Sequence, residues 1–144
     1  MYSEILVPTD GSPASDAAIE HAIGLAKQND ARLHALYVVD SAAYSTLEAG
    51  AEIVVEALES EGKKATNRVA EAANAEGVDC TTTVTTGTAY RSITDYVEEH
   101  GIDMVVMGTH GRKGLDRYLL GSVTERVVRT SDVPVLTVRQ PTDE

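Results

Sequence analysis

The chain has no tryptophan and no phenylalanine, and tyrosine supplies all six aromatic residues among its 144. A core must therefore be built mostly from aliphatic side chains. Cys80 is the single cysteine, which excludes an intramolecular disulfide and any multi-thiolate metal centre. No run approaches the roughly 18 consecutive apolar residues of a membrane-spanning helix. The opening Met1-Tyr2-Ser3-Glu4-Ile5 has no basic segment ahead of its apolar stretch, so it does not read as a signal peptide. Positive charge is scarce too: 12 basic residues face 23 acidic ones, for a net charge of -11. Such a field repels nucleic acid and anionic lipid, so neither is expected as a partner. A soluble cytoplasmic protein is the expectation. Lysine is scarcer than arginine, and the acidic residues spread over most of the chain. That surface suits high salt, where charge repulsion is screened within about 3 Å at 1 M. A halophilic source and an ordinary acidic cytosolic protein are both compatible with it.

Hydrophobic residues make up 42% of the sequence, enough for a packed globule, and the length suits one domain spanning residues 1–144. Strand-type and helix-type patterns alternate. Tyr2–Pro8, Arg32–Val39, Asp79–Thr86, Asp103–Met107 and Val133–Val138 read as strands. Pro134 cannot donate to a sheet ladder, which puts the last of these at an edge. Ala14–Gln28 has helical spacing, with Pro13 in a first turn and Ser12 as its cap. A long apolar stripe (Leu47, Ala51, Val54, Val55, Leu58, Ala65, Val69, Ala72, Ala73) predicts a second helix that Gly62 bends or splits and Gly77 ends. A short helix through Tyr90, Ile93, Tyr96 and Val97 closes at His100-Gly101, and Ser122–Thr130 carries Val123, Val127 and Val128 on one face. Five strands alternating with four helices imply an α/β protein, a parallel sheet covered on both faces.

The segment with chemical content is Gly108 to Ser122, which leaves a buried strand and enters a helix. Free amides and the positive end of the helix dipole both meet there, the geometry of anion capture. Its bases are Arg112, Lys113 and Arg117 and its acid is Asp116, a local +2 on a chain of -11. A polyphosphate accounts for that basic loop; a solvated loop with Ser122 capping the helix is the plain alternative. There is no G-x-x-x-x-G-K-[ST], so this is not a P-loop NTPase. There is no G-x-G-x-x-G after the first strand either, against a dinucleotide fold of the usual kind.

What is present is Gly108-x2-Gly111-x9-Gly121-Ser122. This resembles the nucleotide-binding motif of the universal stress protein family. The opening Ile5-Leu6-Val7-Pro8-Thr9-Asp10-Gly11-Ser12 and the closing Val133-Pro134-Val135-Leu136-Thr137-Val138 are similar to that family's first and last strands. The resemblance implies a single-domain, open five-stranded parallel sheet of order 3-2-1-4-5. That architecture is Rossmann-like and similar to adenine nucleotide α-hydrolases. Strands 1 and 4 would then meet at the topological switch point, where ligands bind off the carboxyl ends.

The resemblance further implies ATP as ligand, with Pro8, Thr9, Asp10, Val38, Val39 and Met107 around the nucleoside end. Gly108, Gly111, Arg112, Gly121, Ser122, Val123 and Thr124 would hold ribose and phosphates. Asp10 as an acceptor-only group suits ribose hydroxyls, although capping the first helix is an alternative. Thr9 and Ser12 either line the pocket or shape the turn. No protein metal site is expected; Mg²⁺ would arrive with the nucleotide. No catalytic residue is assigned, His110 being the sole candidate base. Three functions stay in view: a regulatory ATP-binding module, a slow nucleotide phosphohydrolase or phosphotransferase, and a partner-binding protein with a vestigial pocket. The resemblance also implies a homodimer through strand 133–138. Cys80 reads as packed, and His21 and His34 as ordinary helix and strand positions.

Overall fold

The computed structural model describes residues 2–40, 51–110 and 120–141. Its strands are β1 (Glu4–Pro8), β2 (Arg32–Asp40), β3 (Cys80–Gly87), β4 (Met104–Gly108) and β5 (Val135–Val138). The helices are α1 (Asp16–Asn29), α2 (Ala51–Ala75), α3 (Ala89–Glu99) and α4 (Ser122–Thr130). All four strand pairings are parallel, in the order β3-β2-β1-β4-β5. In register, Ile5 stands beside Leu33 on one side and Met104 on the other.

The unbroken apolar runs of β1 and β4 follow from burial on both faces. Successive side chains of a strand point to opposite sides. Ile5, Val7, Met104 and Val106 pack with Ala18 and Ala22 of α1 and Val69 of α2. Leu6, Val105 and Met107 pack on the other side with Ile93 and Val97 of α3 and Val127 of α4. Each such Leu, Ile or Val contributes about 1.5–3 kcal/mol by leaving water. The alanines of α1 face the sheet, so that helix lies close to it. The β5 strand is at an edge, as Pro134 requires. It begins only at Val135, and Pro134 lends its carbonyl to the Val105 amide at 3.0 Å.

Several expectations change. Gly62 does not divide α2, which runs unbroken from Ala51 to Ala75. A Cβ on Gly62 would sit 2.6 Å from Cδ1 of Tyr37, so the glycine makes room for that ring. Gly77 does end the helical segment, with φ +77. Within the α2 stripe, Val54 and Ala72 are exposed, whereas Ala65, Val69 and Ala73 are buried. Leu47 lies outside the described residues. Val128 of α4 is also exposed, whereas Val127 is buried and Val123 packs partly buried against the same cluster. Ser12 does not cap a helix by its side chain: Pro13–Ser15 form a 3-10 turn and α1 starts at Asp16.

His34 is not an ordinary strand position. It is buried, with Nδ1 2.7 Å from the Tyr96 hydroxyl and Nε2 2.9 Å from Oε1 of Glu4. Tyr96 in turn stacks on His100, with ring centroids 3.7 Å apart. This polar chain joins β1, β2 and α3 inside the second layer. Cys80 is half-buried against the first layer, and burial pushes its thiol up to about 11.

Candidate functional site

The carboxyl ends of β1 and β4 lie side by side, because Ile5 pairs with Met104 and Leu6 with Val105. After β1 the chain turns sharply. The Thr9 amide still donates to Leu36 O of β2 at 2.9 Å, and its buried hydroxyl oxygen accepts from the Gly11 amide at 3.1 Å. Gly11 has φ +79, a conformation that a side chain would strain. Asp10 Oδ1 accepts from the Ser12 amide at 2.9 Å, the Ser12 hydroxyl at 2.5 Å and the Ser15 hydroxyl at 3.1 Å. Asp10 therefore organises its own turn rather than capping a helix, since neither Pro13–Ser15 nor α1 carries a side-chain cap, and it stays half-buried at the strand end. Thr9 and Ser12 both shape this turn.

Across the crevice, β4 ends at Gly108. A Cβ there would stand 2.9 Å from the Ala14 carbonyl and 3.3 Å from that of His110. Glycine thus lets the turn after β1 approach the end of β4. The Gly108 carbonyl accepts from the buried Thr124 hydroxyl at 2.9 Å, tying the first turn of α4 to the strand. Thr109 holds two elements: its amide donates to Val138 O at 3.1 Å and its carbonyl accepts from the Gly121 amide at 2.7 Å. Gly121 is the residue before α4, in extended conformation, and Ser122 makes no side-chain cap. The Gly121 amide is already committed. The first-turn amides of Ser122, Val123 and Thr124 have no intrahelical carbonyl to meet.

The described members of the expected site thus gather at one end of the sheet from four places. Pro8 ends β1 and Thr9 and Asp10 follow it, Val38 and Val39 lie near the end of β2, and Met107 and Gly108 close β4. Gly121, Ser122, Val123 and Thr124 open α4. Val39 and Met107 are buried, and Val38 is half-buried on the α3 side. Gly111 and Arg112 lie outside the described residues, as do Lys113, Asp116 and Arg117. His110 binds Thr109 Oγ1 through Nδ1 at 3.1 Å, and its buried Nε2 has no hydrogen-bond partner among the described residues.

A groove of about 280 Å³ opens beside this turn between α1 and α2, lined by Thr9, Ser12, Asp16, Ile19, Arg68 and Val69. Arg68 of α2 donates from Nη2 to the Gly11 carbonyl at 3.2 Å. Reading the sequence gives no hint of Arg68, 57 residues beyond Gly11 on a helix otherwise notable for its apolar stripe. A larger concavity, about 330 Å³, lies at the opposite end of the sheet, around Ser3, Lys27, Arg32 and Asp79. Size does not make it the better candidate, because parallel sheets of this class present ligands at the carboxyl ends. Among the described residues no group of three or more His, Cys, Asp or Glu side chains is placed to hold a metal ion. Among them, too, no helix is long and apolar enough to cross a membrane.

A sequence profile of the universal stress protein family matches residues 1–139. The universal stress protein MJ0531 of Methanocaldococcus jannaschii is 41% identical over 146 residues, covering 100% of this chain and 86% of that protein. Among solved structures, hypothetical protein MJ0577 superposes with a TM-score of 0.89 at 29% identity, over 99% of both chains. A universal stress protein in complex with cAMP superposes with a TM-score of 0.69 at 26% identity, over 97% of this chain and 98% of that one.

Proposed function

The chain belongs to the universal stress protein family, and on that footing we propose that it is a cytoplasmic regulatory module that binds ATP at the carboxyl ends of β1 and β4. The observation that carries this reading is the close approach at Gly108. It lets the turn that holds Asp10 approach the end of β4, to which Thr124 also ties the first turn of α4, so a carboxylate acceptor and amides without an intrahelical carbonyl share that end of the sheet. Asp10 would accept from ribose hydroxyls, with Pro8, Thr9, Val38, Val39 and Met107 around the nucleoside. Gly108, Gly111, Arg112, Gly121, Ser122, Val123 and Thr124 would hold ribose and phosphates, aided by the helix dipole. The cAMP-bound relative supports an adenine nucleotide in this fold.

A chain of net charge -11 binds a polyanion more easily with its charge reduced. A divalent cation bridging the phosphates would do this, and Mg²⁺ typically binds through substrate phosphates and few carboxylates. Thermal melts with ATP·Mg, ADP and AMP test the reading. A ligand at 100 times its dissociation constant stabilises the fold by roughly 2.7 kcal/mol. An unmoved transition at millimolar ATP refutes it.

His110 favours a second reading, slow phosphohydrolysis, because its Nε2 is buried in the mouth region with no partner among the described residues. ATP turnover above background that is lost in His110→Ala would select that reading. The edge position of β5 supports a homodimer through strand 133–138, since a free apolar edge is a pairing template. Sedimentation at low concentration in high salt checks it, a monomer being the contrary result. The acidic, lysine-poor surface supports a high-salt source.

A further inference from the structure

We infer that Arg68 is a positioning residue of the nucleoside end, holding the Gly11 carbonyl so that the turn after β1 keeps Asp10 aimed into the crevice. This rests on the nucleotide-binding reading above. The turn is tied internally by Asp10 Oδ1, which gathers the Ser12 amide and the Ser12 and Ser15 hydroxyls. Those bonds give it shape but not a place, because all of them lie within residues 10–15. Among the described residues, its two ends are tied to the sheet. Thr9 donates to Leu36 O of β2, and Ala14 meets Gly108 at the end of β4. The apex, Gly11, has φ +79 and no side chain to anchor it. Arg68 supplies a tertiary tie there, donating from Nη2 across 57 residues at 3.2 Å.

Arginine suits this task. A guanidinium keeps its charge at any relevant pH and carries five donors in a rigid fork, so one can serve Gly11 while the head stays at the groove mouth. Arg68 is exposed, on the wall of the groove that also contains Thr9 and Ser12. Its side chain therefore reaches the site from α2, an element that carries none of the expected nucleotide contacts. Asp10 would be correctly placed only when α2 is seated.

The test measures binding of adenosine, AMP, ADP and ATP·Mg by calorimetry to wild type, Arg68→Ala, Arg68→Lys, Asp10→Ala and the Asp10/Arg68 double alanine variant. Circular-dichroism melts confirm that each chain is folded. A hydrogen bond of this kind is worth roughly 3- to 10-fold in affinity. Arg68→Ala should weaken all four ligands by the same factor in that range, Arg68→Lys should recover part of it, and the loss should vanish in the Asp10→Ala background. A loss that grows with the number of phosphates shows direct phosphate contact and overturns the inference. So does a loss that persists undiminished without Asp10, or no loss at all. Wild type binding none of the four removes the nucleotide reading itself and this inference with it, an outcome distinct from a wild type that binds and an Arg68→Ala variant that binds equally well.

Discussion

Two glycines inside helices should respond oppositely to the same substitution. Alanine at a helix interior is favoured over glycine by about 0.8–1.0 kcal/mol. At Gly24 of α1, a new Cβ meets nothing within 4 Å, so Gly24→Ala should gain that full amount. At Gly62 of α2 it would lie 2.6, 3.0 and 3.1 Å from Cδ1, Cγ and Cε1 of Tyr37. Carbon atoms rest about 3.5–4.0 Å apart, so the ring must move by roughly 1 Å. Tyr37 is only 4% exposed and packs with Val39 and Ala65, which leaves it little room. Overpacking of this kind costs about 1–3 kcal/mol, which outweighs the propensity gain and leaves Gly62→Ala about 1 kcal/mol less stable. For a chain of this length the melting temperature should fall by about 4 °C, and rise by a similar amount in Gly24→Ala. Urea titration at constant m measures both, and Tyr37→Leu combined with Gly62→Ala should show favourable coupling as the ring is removed. If Gly62→Ala gains stability as Gly24→Ala does, the packing of Tyr37 on α2 is wrong.

Tyr96→Phe should cost about 1–3 kcal/mol, because it strips the buried His34 of its 2.7 Å partner at Nδ1; thermal melts equal to wild type would contradict the buried chain. With its thiol raised from 9.0 to about 11 by burial, Cys80 should carry roughly 100-fold less thiolate than a free cysteine below pH 9 and react with iodoacetamide correspondingly more slowly than in urea. The folded chain holds that proton more tightly than the unfolded one. The resulting contribution to stability is fully present below about pH 9 and lost as the pH rises through about 11, so alkaline melts of wild type should fall more steeply than those of Cys80→Ala. Thr124→Val should lose about 1 kcal/mol with the 2.9 Å bond to Gly108 O, and it should weaken ATP·Mg in calorimetry, since that bond ties the first turn of α4 to β4.

The alternating pattern of the chain by itself determined the strand and helix types and the double burial of β1 and β4. Pro134 determined the edge position of β5, and Gly77 the end of α2. These features are local: periodicity, φ preference and a missing amide donor act within a few residues, so they can be read from neighbours alone. The glycine motif of the Gly108 segment was equally legible, although its middle lies outside the described residues. Tertiary structure alone decided why Gly62 and Gly108 are glycine, one for the ring of Tyr37 and the other for the carbonyl of Ala14. It also decided that His34 bridges Glu4 and Tyr96, and that Arg68 reaches Gly11. Such contacts join residues tens of positions apart, and no propensity or spacing along the chain encodes them. They exist because burying two faces of one sheet forces particular helices, in a particular register, against particular strand ends.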